Sequence, residues 1–124
     1  MPAVPSCLRS LALACLLLPG LALAHGHLKS ATPAPDSTLS QAPTQLSLTF
    51  SEGVESSLSQ VQLQRLDGQA STAITTGKVI AGSDARTLDV PLEAPLQPGR
   101  YQVKWRVLAK DGHKTQGDYR FTVQ

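Results

Sequence analysis

The chain has 124 residues, enough for one small domain, and carries 11 basic against 9 acidic residues, a near-balance that asks for neither nucleic acid nor an acidic surface. No dense run of Lys or Arg occurs, and both cysteines, Cys7 and Cys15, and the one methionine, Met1, lie close to the start. The rest of the chain has no material for a disulfide, a thiolate metal site or a thioether ligand.

Residues 1–24 read as a signal peptide. Arg9 supplies the charged region, Leu11 to Leu18 the apolar run, Pro19-Gly20 its end and Ala22-Leu23-Ala24 the small-residue cleavage signature. The apolar run is less than half the ~20 residues that a membrane-spanning helix needs. A lipoprotein reading of Leu13-Ala14-Cys15 is poor, because so little apolar sequence precedes the cysteine. Cleavage after Ala24 leaves residues 25–124 as one domain that starts at His25. Arg9 goes with the leader, so ten basic residues face nine acidic ones. This part has no segment for membrane insertion and is expected in a periplasm or outside the cell.

Beyond Leu28 the pattern is of short strands broken by Pro, Gly, Ser and Asp. Leu46, Leu48 and Phe50 alternate with Ser47 and Thr49, as a strand with one apolar face does. Val61, Leu63 and Leu66 make a second, followed by the turn dipeptide Asp67-Gly68. Lys78 to Ala81 and Thr87 to Val90 are shorter candidates, the latter stopped by Pro91. From Tyr101 to Leu108, Tyr101, Val103, Trp105 and Val107 point one way and Gln102, Lys104 and Arg106 the other. Tyr119, Phe121 and Val123 repeat the alternation. No window carries a sustained helical stripe, and nine prolines are scattered through the chain. Five to seven strands at this spacing predict an all-β fold, a small Greek-key β-sandwich. Trp105, Tyr101, Phe50, Phe121 and Tyr119 all fall on apolar registers and are expected in its core.

All three histidines sit in two clusters, His25-Gly26-His27 and Asp111-Gly112-His113. Singly each is weak: a histidine after a leader is ordinarily a loose terminus, and Asp-Gly between alternating strands is first of all a hairpin turn. Together they offer more. In an extended segment Asp111 and His113 lie on one face, and a turn still keeps them on one rim. Cleavage gives His25 a free α-amino group, which with its own imidazole can close a chelate ring. An amine, two or three imidazoles and a carboxylate form a nitrogen-rich, sulfur-free set that favours copper(II) over zinc or nickel. The amine, with a reference pKa near 8, yields its proton readily to a competing metal. His27 is either an additional ligand or a near neighbour, since His25-Gly26-His27 can also wrap copper(II) unaided through backbone amides. Glu52, at the end of a strand, is either an exposed carboxylate or a supporting acceptor for the amine or a ligand imidazole.

At these residues the sequence resembles the CopC/PcoC family of copper-binding proteins. The likeness runs through His25-Gly26-His27-Leu28 to Ser30-Ala31-Thr32-Pro33, then Leu48-Thr49-Phe50-Ser51-Glu52. It continues in Leu96-Gln97-Pro98-Gly99-Arg100-Tyr101 with Val103 and Trp105, and in Asp111-Gly112-His113 with Gly117 and Phe121. It spans residues 25–124 in order. The resemblance implies a cupredoxin-like or immunoglobulin-like sandwich in the periplasm. One Cu(II) per chain would be held by His25, through amine and imidazole, with Asp111 and His113, and Glu52 would support them. It also implies a CopD-type inner-membrane copper transport protein as partner. The methionine-rich copper(I) site of some members has no counterpart here.

The leading expectation is a non-enzymatic carrier or buffer of copper(II) in copper resistance, homeostasis or uptake. Two other classes stand beside it: a secreted copper oxidoreductase built on an N-terminal histidine, and a metal-free β-sandwich interaction module.

Overall fold

The computed structural model describes residues 27–124; the proposed leader and His25 lie outside the described residues. Among the described residues there are nine strands: β1 (Leu28–Thr32), β2 (Thr38–Leu39), β3 (Gln45–Phe50), β4 (Gln60–Asp67), β5 (Ala70–Ile74), β6 (Ile80–Ala81), β7 (Thr87–Pro91), β8 (Gly99–Leu108) and β9 (Lys114–Val123). One short 3-10 turn, Ser56–Leu58, separates β3 from β4. None of these elements is a helix long and apolar enough to cross a membrane.

The strands form two sheets, in the orders β1-β3-β7-β6 and β2-β9-β8-β4-β5. The chain changes sheet between β1 and β2, β2 and β3, β3 and β4, β5 and β6, and β7 and β8. That is the Greek-key order of an immunoglobulin-like sandwich, with β5 as an additional edge strand and β2 running parallel to β9. The core follows from alternation. Leu46, Leu48 and Phe50 from β3 and Leu88 and Val90 from β7 face Val61, Leu63, Tyr101, Val103, Trp105, Val107, Tyr119, Phe121 and Val123 from the other sheet, and all are buried. Each large side chain so buried contributes on the order of 1.5–3 kcal/mol. Phe50 meets the Trp105 ring edge-on, centroids 5.1 Å apart, which ties the two sheets together.

Two local features fix the long hairpin of β8 and β9. Gly117 stands opposite Trp105 in the register, and a Cβ there would lie 2.5 Å from Trp105 Cζ2; β9 carries glycine where the indole needs the room. At the start of β8 the Tyr101 hydroxyl donates to the Gln97 carbonyl at 2.6 Å, the tyrosine corner of immunoglobulin-like sandwiches.

The structure departs from the sequence reading in three places. The β4–β5 turn consists of Gly68 and Gln69, because Asp67 pairs with Ala70 and Gly68 takes the positive φ of 63°. Strands β1, β2 and β5 are present although no apolar alternation marks them. Strand β6 covers Ile80–Ala81 alone, shorter than the Lys78 to Ala81 read from the sequence.

Candidate metal centre

Two segments from different sheets meet at one end of the sandwich. The first leaves β3. The Ser51 N–H donates to the His27 carbonyl at 2.9 Å, one rung past the pairing of Leu28 with Phe50. The His27 ring rests beside the same residue, with Nδ1 3.5 Å from Ser51 Oγ. The next residue is Glu52.

The second segment is the tip of the β8–β9 hairpin. Ala109 N–H donates to the His113 carbonyl at 2.8 Å and Gly112 N–H to the Ala109 carbonyl at 2.9 Å. Gly112 has φ 93°, a conformation that side-chain-bearing residues rarely adopt. Asp111 Oδ1 accepts the His113 N–H at 3.0 Å and lies 3.1 Å from His113 Nδ1. Asp111 and His113 thus converge through an Asx turn, not through the shared face of an extended strand.

Backbone bonds lace the two segments together. Lys110 N–H donates to the Gly53 carbonyl at 2.9 Å, Glu55 N–H donates to the Leu108 carbonyl at 2.8 Å, and Val54 bridges to Ala109. As a result Glu52 comes close enough to Asp111 to help hold its carboxyl below the ordinary value. Asp111 is held down to about 2 from the usual 3.8, first by the His113 backbone N–H and then by the His113 side chain and Glu52, against a desolvation effect that pushes it up.

The geometry defines what this rim can do. A ring whose Nδ1–H faces a carboxylate keeps its lone pair on Nε2, the arrangement that orients an imidazole for a metal ion. The Asp111 carboxylate, kept ionised by these contacts, supplies negative charge that a cation relieves. Sulfur donors are absent from residues 27–124, so the donor chemistry fits a borderline divalent ion. Among the described residues no group of three His, Cys, Asp or Glu is by itself arranged to hold a metal ion.

Of the residues singled out from sequence, Glu52, Asp111 and His113 come together, and His27 is anchored one residue before Glu52. His25 lies outside the described residues. Sequence reasoning missed Ser51 and Gly53, whose backbone groups dock the chain start and the hairpin onto one turn. A Ser-Glu-Gly run directly after an apolar strand is the signal that could have marked that turn.

A CopC domain profile matches residues 28–124. The chain is 39% identical over 102 residues to Protein YobA of Escherichia coli strain K12, covering 82% of this chain and 80% of that one. It is 35% identical over 107 residues to copper resistance protein C of Escherichia coli, covering 83% and 84%. The crystal structure of PcoC, a methionine-rich copper resistance protein from Escherichia coli, superposes with a TM-score of 0.74 at 32% identity, over 81% of this chain and 99% of that one.

Proposed function

The chain belongs to the CopC domain family, and from that membership and the loop geometry we propose that it is a copper(II)-binding protein. It acts as a non-enzymatic carrier or buffer in copper resistance or homeostasis. Removal of residues 1–24 delivers it to the periplasm with His25 at its N-terminus. His25 would bind one Cu(II) through its amine and imidazole, with His113 and Asp111 completing the set. Glu52 would support them, and His27 stands as an adjacent imidazole. An inner-membrane copper transport protein is the partner this role calls for.

One observation carries the reading: the Ser51 N–H holds His27 beside the turn whose Gly53 carbonyl receives the Lys110 N–H of the Asp111–His113 hairpin. Two residues of chain extend at most about 7 Å, so a chain end at residue 25 would have that much reach from His27 toward the loop end that bears Asp111 and His113. The absence of methionine beyond Met1 sets the chain apart from the methionine-rich PcoC and favours the oxidised ion, since copper(I) prefers sulfur.

The test is a copper(II) titration of the exported protein against a competing chelator, after its mass has fixed the cleavage point. One ion per chain is expected. A variant with one glycine before His25 should bind roughly a hundredfold more weakly, since it moves the amine out of the chelate. Equal affinity for the two would sink the proposal.

A further inference from the structure

Near-neutral composition conceals a segregation of charge. On the outward face of the five-stranded sheet the register sets Arg106 between Gln60 and Gln116, Lys104 between Gln62 and Asp118, and Arg120 beside Gln102. Arg100 and Lys114 occupy outward positions at the ends of the same two strands. This face therefore holds five of the ten basic residues of 25–124 and one of the nine acids, leaving five basic and eight acidic residues for everything else.

Solvation alone does not call for this pattern. A water-facing sheet gains roughly 0.2–1 kcal/mol from each opposite-charge pair across strands, and a merely soluble surface mixes the signs. Here glutamine flanks Arg106, Lys104 and Arg120, and an amide offers hydrogen bonds without cancelling charge. The single acid is already engaged: Gln102 Nε2 donates to Asp118 Oδ2 at 2.7 Å, and Lys104 stands opposite it. Between the rows lies a shallow hollow of about 380 Å³, bounded by Gln62, Lys104, Arg106, Gln116 and Asp118.

We propose that this face docks an acidic segment of a partner protein, its carboxylates received by guanidinium, ammonium and amide donors in adjacent rows. An anionic membrane is the poorer match. Adsorption to lipid grows with apolar area inserted among the headgroups; Trp105 lines the hollow beside the amides and charges but is largely buried, and the exposed large hydrophobics, Leu58 and Ile80, lie off this face. The face ends at Arg106, Gln116 and Lys114, next to the Asp111–His113 hairpin, so a partner seated there would border the metal centre. The proposal does not depend on that centre.

The test uses the exported protein without metal and poly-L-glutamate as probe, followed by amide chemical shifts at low salt and at about 0.15 M. Shifts should concentrate on Gln62, Lys104, Arg106 and Gln116. Binding should weaken at least tenfold in the Lys104→Glu/Arg106→Glu variant and less than threefold in Lys78→Glu/Arg86→Glu, the same charge change off the face. Equal weakening in both variants, or shifts spread over every cation, would reduce the effect to net charge and overturn the proposal. Tighter binding to phosphatidylethanolamine vesicles with about 30% phosphatidylglycerol than to the polypeptide would overturn it in favour of a membrane. Because both titrations omit copper, their failure leaves the metal proposal standing.

Discussion

Oδ1 of Asp111 takes the His113 N–H at 3.0 Å and faces the His113 ring at 3.1 Å, so one oxygen sets both the backbone turn and the direction of the imidazole. These contacts favour the ionised form, and they hold the carboxyl down to about 2 in the folded, metal-free protein. A depressed folded pKa gives stability that is fully present above the unfolded value of 3.8 and is lost as pH falls through about 2. The side-chain carboxyl signal of Asp111 should accordingly titrate near 2, and a midpoint near 4 would show the turn to be open in solution. Asp111→Asn separates the two roles. Its amide oxygen still accepts the His113 N–H, so the hairpin should survive while copper(II) affinity falls roughly ten- to a hundredfold for want of the charge. Unchanged affinity in chelator competition would remove Asp111 from the site.

At the scale of elements, the tyrosine corner decides how β8 enters its sheet. The Tyr101 ring is buried and stacks on Phe121 with centroids 5.5 Å apart, while its hydroxyl closes the Gln97 bond. Tyr101→Phe keeps the packing and deletes the bond, which costs about 1 kcal/mol, or about 4–8 °C in Tm for a domain of this size. Because Tyr101 and the hairpin tip lie at opposite ends of β8, copper(II) affinity should not change; thermal melts and a copper titration on one preparation check both statements. Strands such as β3, β8 and β9 were legible in the sequence because one face is core and the other wet, which imposes a period of two. Strand β5 was not, since its residues are exposed except for a half-buried Ile74, and an edge strand held mainly by backbone bonds needs no apolar period. The site divided in the same way. Residue types marked Asp111, His113 and Glu52, but the Asx turn and the nearness of Glu52 to Asp111 depend on how a loop from one sheet docks on a hairpin of the other, and no local pattern encodes that.

For the molecule as a whole, the proposed centre sits on a seam between sheets. His27 and Glu52 flank the first sheet, Asp111 and His113 cap the second, and the bonds from Lys110 to Gly53 and from Glu55 to Leu108 already close the seam without metal. The apolar core owes nothing to the ion, so the metal-free protein should be folded, with copper adding stability only by mass action. At a hundredfold excess of free copper over Kd that increment is about 2.7 kcal/mol, and Tm should rise by more than about 10 °C. Since the rim is preformed, loading should leave the fold unchanged, and the paramagnetic ion should broaden amide signals most strongly at the chain start around His27, Ser51 to Glu55 and Ala109 to Lys114, with little ordering cost elsewhere. The rise should be reversed by a chelator, retained in Tyr101→Phe and lost on adding a residue before His25. A Tm that ignores copper, or broadening that is strongest away from these segments, would mean that the ion binds somewhere other than this seam.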